Sequence, residues 1–169
     1  MSMRLAKTLV LAALALCLAQ ASAIAAVKVT FVNPEHYTDL DRNRPWYQQD
    51  TLNQFQRTFE QLGATYLKPG QTLKLDVLDI DLAGYFEPWR FYGYDVRIMR
   101  DYTPPRFKVH YALEQKGRVI LQADETITDL AYLMNPAGRL SSERLGYEKA
   151  MLKDWFRNRF GLMRPPPGV

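Results

Sequence analysis

Three aspartates in one short stretch are the first residues whose type and spacing suggest chemistry. Asp76, Asp79 and Asp81 lie in the segment LKLDVLDIDLAG, residues 73–84. Carboxylate oxygens can together bind a hard cation such as calcium. A calcium loop, however, usually places its ligands on a turn sharpened by glycine, whereas Asp79 and Asp81 flank an aliphatic residue. We therefore favour an interpretation in which Asp79 or Asp81 accepts hydrogen bonds from loop amides at a strand end, and metal binding is the second hypothesis.

An aromatic segment follows and is the better candidate for a contact site. In residues 85–94, YFEPWRFYGY, six of the ten side chains are aromatic. Aromatic faces supply contact area at small entropic cost, so they could line a groove for a sugar, a peptide or a partner protein. The alternative, which the sequence alone favours, is that they only pack over the open end of a small core. The candidate contact residues are Tyr85, Phe86, Trp89, Arg90, Tyr92 and Tyr94.

Residues for nucleophilic catalysis are scarce. The histidines are His36, in a predicted loop, and His110, on a predicted exposed strand face. A catalytic triad would require Ser141 or Ser142 to meet one of them, so we expect no catalytic residue of this class. A pair of acids for glycoside hydrolysis stays open, because Glu87 and several aspartates have no assigned position.

The first residues are typical of an export signal. Arg4 and Lys7 precede an apolar run of eleven residues, 8–18, and either 21–23 (Ala-Ser-Ala) or 23–25 (Ala-Ile-Ala) offers small residues at a cleavage site. The run is too short to span a membrane. We expect residues 1–25 to be a secretory signal peptide and the mature chain to be periplasmic, without a transmembrane segment.

The mature chain lacks the features of several common protein classes. Cys17, the one cysteine, lies in the apolar run and follows Leu16, whereas a lipid-anchor motif requires a small residue there. Cleavage of the signal would leave 144 to 146 residues, which is the size of one domain. These residues contain no cysteine, so we expect no disulfide and no thiol nucleophile. Twenty basic and eighteen acidic residues give a net charge of +2 and alternate along the chain, which argues against a nucleic-acid binder.

The elements that must position these residues follow from periodicity and turn signals. Alternating apolar residues predict strands, and apolar residues three and four positions apart predict helices. The predicted order is a strand at 27–32, a helix from Asp50 or Thr51 to Gly63, a strand ending near Leu78, a short strand at 95–100, a hairpin at 106–114 and 118–128, and a helix at 145–160.

This order predicts an α+β fold, specifically a two-layer sandwich. One mixed, mostly antiparallel sheet of four to five strands should carry two helices on one face, in the order strand-helix-strand-strand-strand-strand-helix. Residues 26–161 would form this single domain. The proline-rich residues 162–169 would form a disordered tail.

Two details of the strands are specific predictions. The period of two breaks between Val77 and Leu78, which requires a bulge or the end of a strand, and we expect the strand to end there. For the hairpin, a three-residue loop at 115–117 would place Lys108 opposite Asp124, so that opposite charges face each other.

The last helix should bury one stripe and expose the other. Met151 and Trp155 fall on the apolar stripe. We expect the charged residues Glu148, Lys149 and Asp154 to lie on the solvent-exposed side.

Four segments carry a family resemblance when they are taken together. They are VTFVNPEHYTD at 29–39, LKPGQTLKLDVLDIDLAG at 67–84, PRFKVHYALEQKGRVI at 105–120 and LGYEKAMLKDWF at 145–156. The mature sequence resembles, along nearly its whole length, a family of small exported bacterial proteins called domain of unknown function 3016. The resemblance implies a Gram-negative envelope protein and carries no activity over. Residues 85–94 match the family least.

These observations support a hypothesis and two alternatives. We favour a non-catalytic domain that binds another envelope component through residues 85–94 and a neighbouring sheet edge. The first alternative is a small-ligand or glycan binder that uses the same segment. The second is a carboxylate- or metal-dependent hydrolase. The partner would be an envelope protein or a small ligand, and we expect no nucleic acid and no cofactor.

Overall fold

The computed structural model describes residues 25–40, 45–87, 97–164 and 166. Among these residues, none of the helices is long and apolar enough to cross a membrane. The elements are β1 (Ala26–Phe31), α1 (Pro45–Tyr66), β2 (Gln71–Asp81), β3 (Tyr85–Phe86), β4 (Arg97–Ile98), β5 (Arg106–Gln115), β6 (Arg118–Thr128), α2 (Pro136–Arg139) and α3 (Gly146–Phe156), with 3-10 turns at Pro34–His36 and Tyr132–Met134 and a π-helical turn at Arg157–Gly161.

The sheet confirms the predicted α+β class. Its strand order is β1-β2-β5-β6, with β1 parallel to β2 and the other neighbours antiparallel. The short strand predicted at 95–100 corresponds to β4, which pairs with β3 in a separate two-stranded ribbon. The main sheet therefore has four strands, and the ribbon follows its central strand β2.

Aromatic contacts join the helices to one face of the sheet. The ring centroid of Phe59 in α1 lies 6.4 Å from Phe107 of β5 and 6.2 Å from Phe156 of α3. Tyr111 of β5 contacts Trp155 edge-on at 5.6 Å. These side chains are buried, because alternate residues of the central strands point toward the helices. The predicted two-layer arrangement is thus present.

The prediction that β2 ends near Leu78 is wrong. Val77 and Asp79 pair with consecutive residues of β5, so Leu78 is the extra residue of a β-bulge. Beyond the bulge the side-chain alternation shifts by one, which buries Ile80 and extends the ladder to Asp81. Because of the bulge, β2 ends three residues later than predicted, and Asp79 and Asp81 belong to its last residues.

The predicted hairpin register is also wrong. The turn has two residues, Lys116 and Gly117, whose φ angles of 51° and 75° fit a type I′ turn. A bulge in β6 then shifts the ladder, and Asp124 faces His110 instead of Lys108. The prediction assumed an uninterrupted ladder, which the bulge breaks.

Helix α1 is longer at both ends than predicted. It begins at Pro45, a residue suited to the first helical turn, and Thr51 lies inside it with its hydroxyl bonded to the Tyr47 carbonyl at 2.8 Å. Gly63 also lies inside the helix. A Cβ atom at Gly63 would lie 2.0 Å from Cγ2 of Val27, so this glycine serves close packing against β1.

Candidate functional site

Arg97 fixes the backbone where the chain leaves β2. Its Nε donates to the carbonyl of Ala83 at 3.0 Å, and its Nη2 donates to the carbonyl of Leu82 at 3.2 Å. Nη2 also donates to the Gly84 carbonyl and to the carboxylate of Asp39. A planar guanidinium can serve several acceptors at once, and this one is only 10% exposed. The three residues after β2 are therefore held in one conformation.

Glu148 reaches the same backbone from the helix layer. Its Oε1 accepts a hydrogen bond from the N–H of Ala83 at 2.8 Å, and the residue is 3% exposed. Burial raises the pKa of the Glu148 carboxyl. The prediction that Glu148 faces solvent is wrong, because the segment after β2 covers this face of α3 and its buried N–H requires an acceptor.

A cleft lies beside this network, and we call it the β2-end cleft. Its volume is about 350 Å³, within the range of small-molecule sites. Residues from three segments line it: Thr38, Asp39, Asp81, Leu82, Gly84, Tyr85, Tyr102, Thr103, Pro104 and Arg106.

Asp81 is the uncommitted acid of this cleft. The carboxylate is half-buried and forms no hydrogen bond or ion pair with any residue in the described part of the chain. Burial, together with the nearby charge of Asp39, raises its pKa. Asp39 itself is paired with Arg97. Asp81 is thus a partly desolvated acceptor to which none of the described residues donates.

Asp79 has partners, as the loop-amide interpretation expected. Its carboxylate accepts from the N–H of Thr38 at 2.8 Å and from the Thr38 hydroxyl at 2.9 Å, and Lys108 lies 3.4 Å away. Burial opposes ionisation of Asp79, but these hydrogen bonds and Lys108 outweigh it and lower the pKa. Asp76 lies opposite His110 in the β2–β5 ladder. Within the described ranges, no group of three or more acids, histidines or cysteines is arranged to hold a metal ion.

The predicted aromatic contact residues fall partly within the structure. Tyr85 lines the β2-end cleft, and its hydroxyl lies 3.4 Å from that of Tyr102. Phe86 packs under Arg97, whose guanidinium carbon is 5.0 Å from the ring centroid. The other four candidates lie outside the described residues: Trp89, Arg90, Tyr92 and Tyr94.

The histidines and serines do not form a catalytic group among the residues described. His110 pairs through Nδ1 with Asp124 at 2.7 Å on the outer sheet face, and His36 lies beside Glu35. The Ser141 hydroxyl accepts from a neighbouring backbone N–H. No described serine forms a hydrogen bond with either histidine.

A larger cleft of about 670 Å³ lies between β6 and α3. Glu125 and Arg159 pair at 2.5 Å in its wall, and both side chains are at most 6% exposed. Glu125 also accepts from the hydroxyl of Tyr111 at 2.9 Å and from Nε1 of Trp155 at 2.7 Å. Both oxygens of Glu125 are thus engaged, so this group joins the sheet to the helix and offers no free acceptor.

Comparison with known proteins places the chain in a family. Residues 25–158, more than half of the chain, match the family described as "Protein of unknown function (DUF3016)". The chain belongs to this DUF3016 family. No curated protein and no solved structure matches it. The resemblance noted in the four sequence segments is confirmed, and the β2-end cleft of this DUF3016 protein lies wholly within the matched region.

Sequence reasoning missed four residues of this site: Asp39, Arg97, Tyr102 and Arg106. They come from the loop after β1, from β4, from the turn before β5 and from the start of β5. No local pattern connects them. Strand alternation predicts Arg106 at the start of β5, but it does not show that this residue lies opposite Asp81 at the end of β2.

Proposed function

We propose that this protein is an exported, non-catalytic binding domain of the cell envelope whose ligand or partner contacts the β2-end cleft. The observation that carries this proposal is the Asp81 carboxylate, which is half-buried in the cleft and has no donor among the described residues. Removing a carboxylate from water without a hydrogen bond costs free energy. A ligand that donates to Asp81 recovers that cost, so binding is favoured.

The cleft is preorganised for binding. Arg97 and Glu148 hold the backbone on one side of it through Ala83, so little conformational entropy is lost when a ligand enters. Tyr102 is 66% exposed and adds an aromatic surface next to Tyr85. The aromatic segment predicted from the sequence as a contact site begins at Tyr85.

The engagement of the other acids supports binding rather than hydrolysis. Glycoside hydrolysis requires two carboxyl groups placed on either side of the scissile bond. Asp39 is paired with Arg97, and Glu148 is bonded to Ala83. Among the described acids of the cleft, Asp81 is left as a single free carboxyl, which suits a recognition site.

Export is supported by the amino terminus. The pattern of a cleaved signal is formed by Arg4 and Lys7, the apolar run at 8–18 and the small residues Ala21, Ala23 and Ala25. We propose that the mature domain acts in the periplasm. Mass measurement of the protein recovered from a periplasmic extract tests this, and a chain that keeps its first 25 residues in the cytoplasmic fraction would overturn it.

Photo-crosslinking in the exporting cell tests the binding proposal. A photo-reactive phenylalanine replaces Tyr102 at the cleft, and the same group replaces Lys153, an exposed position on α3, as the matched control. Intact-mass spectrometry records any adduct, whether protein or small molecule. We expect a discrete adduct from position 102 alone. No adduct at 102, or equal adducts at both positions, would contradict the proposal.

A further inference from the structure

We infer that the β2-end cleft accepts a neutral, polyhydroxylated ligand, which is the chemistry of a saccharide. This inference rests on the proposed function, and it adds the class of ligand. Three observations lead to it: an unbonded acid and base that face each other, a balance of charge around the cleft, and an exposed aromatic wall.

Asp81 and Arg106 are direct partners in the β2–β5 ladder, yet their side chains do not bond to each other. The side chain of Arg106, like that of Asp81, forms no hydrogen bond or ion pair with any residue that the structure describes. Opposed residues in an antiparallel pair have Cα atoms about 4.5–5.5 Å apart, so an acceptor and a donor stand side by side at the cleft. A hydroxyl group both donates and accepts. A ligand with neighbouring hydroxyls can therefore donate to Asp81 and accept from Arg106.

The charges around the cleft cancel. A site selects an ionic ligand through an excess of the opposite charge, and this one has none. The basic side chains at the cleft would repel a cationic ligand, and the acidic side chains would repel an anionic ligand. Among the described residues, the charged side chains that line the cleft are Asp39, Asp81 and Arg106, and Arg97 beside it pairs with Asp39, which gives two acids and two bases.

Tyr102 and Tyr85 form the aromatic wall of the cleft. Tyr102 is 66% exposed, and Arg100 lies 5.9 Å from its ring centroid. The Tyr102 and Tyr85 hydroxyls are 3.4 Å apart, so both side chains reach the same part of the cleft. Aromatic rings offer broad apolar faces with a polar edge, a match for the C–H faces and hydroxyl edges of a sugar ring. Ligand sites of this size combine such faces with a few placed polar groups.

Titration of the purified mature domain tests the inference. The probes are a panel of neutral oligosaccharides of glucose, galactose and N-acetylglucosamine, with spermidine and inorganic phosphate as charged comparisons. We expect a neutral saccharide to bind, as measured by calorimetry, and the two charged probes not to bind. Asp81→Asn and Arg106→Ala should each weaken binding about tenfold, the effect of one hydrogen bond to a charged group.

Asp124→Asn, at an exposed acid on the outer sheet face, is the matched control and should leave affinity unchanged. Circular dichroism shows whether each variant is folded. No binding of any panel saccharide, or binding that Asp81→Asn leaves intact, would overturn the inference. If no saccharide binds but the probe at position 102 yields a protein adduct, the proposed binding function stands and the saccharide inference is refuted. Absence of both the adduct and saccharide binding would refute the two together.

Discussion

The carboxylate of Glu148 accepts a hydrogen bond from the backbone N–H of Ala83 at 2.8 Å, across 65 positions of sequence. This contact joins the last helix to the segment that leaves β2. Ala83 is fully buried, and Arg97 holds its carbonyl from the other side. The helix layer therefore positions one side of the β2-end cleft.

Removing this acceptor should destabilise the protein. Glu148→Ala leaves the buried N–H of Ala83 without a partner, and we expect it to be about 1–3 kcal/mol less stable than Glu148→Gln, which keeps an acceptor oxygen. Urea unfolding of the two variants measures the difference. Equal stability would show that the hydrogen bond contributes nothing.

Stability should also depend on the ionisation of Glu148. Burial raises its pKa in the folded state above the unfolded value of about 4.3, so the folded protein holds the proton more tightly. The stability that protonated Glu148 contributes is fully present below the unfolded pKa, and it is lost as pH rises through the folded pKa. Relative to the wild type, Glu148→Gln should become progressively more stable over that rise. A difference between the two proteins that is constant from pH 4 to pH 8 would contradict this.

The stability of the protein should fall on replacement of Arg97, even by lysine, which keeps the charge. Arg97→Ala removes the donor to three backbone carbonyls and leaves Asp39 unpaired at 27% exposure. We expect a loss of about 3 kcal/mol, at the low end for breaking a buried ion pair because Asp39 keeps some solvent. Arg97→Lys should recover only part of the loss, since an ammonium cannot span the same acceptors. Full recovery by lysine would show that charge alone matters.

The ion pair between Glu125 and Arg159 should behave as one unit. Arg159→Met leaves the Glu125 carboxylate unpaired at 5% side-chain exposure, with an expected loss of about 3–5 kcal/mol. Nε of Arg159 has no partner among the described residues, which adds to the cost of burying the pair. The double variant Glu125→Gln/Arg159→Met should therefore recover most of the stability. A double-mutant cycle measures the coupling, and additive losses would refute it.

The sequence was sufficient for the four strands of the main sheet, the two long helices and the layers, but not for the short elements β3 and α2 or for the registers. Alternation in β2 and the apolar stripes of the helices are local signals, and the α+β sandwich follows from them. A break in alternation such as that at Leu78 has two local solutions, a bulge or a strand end. The choice depends on whether β5 continues to pair beyond it, which only the assembled sheet decides.

Residues of the site were predictable only where several acidic or aromatic side chains occur together in one segment of the sequence. Asp81 and Tyr85 stood out because acidic and aromatic residues crowd the exit of a strand. Arg106 gained significance only from the β2–β5 register. Glu148 was placed on the wrong face because the helical pattern cannot show that another segment covers the charged side of α3.

Photo-crosslinking from position 102, compared in three backgrounds, is the most direct test that the β2-end cleft is the binding site. The probe at Tyr102 is expressed in the otherwise wild-type chain, in Asp81→Asn, and in the control Asp124→Asn. Because no described residue donates to Asp81, we expect adduct yield to fall about tenfold in Asp81→Asn and to stay unchanged in Asp124→Asn. An undiminished yield in folded Asp81→Asn would contradict the claim that this cleft is the binding site.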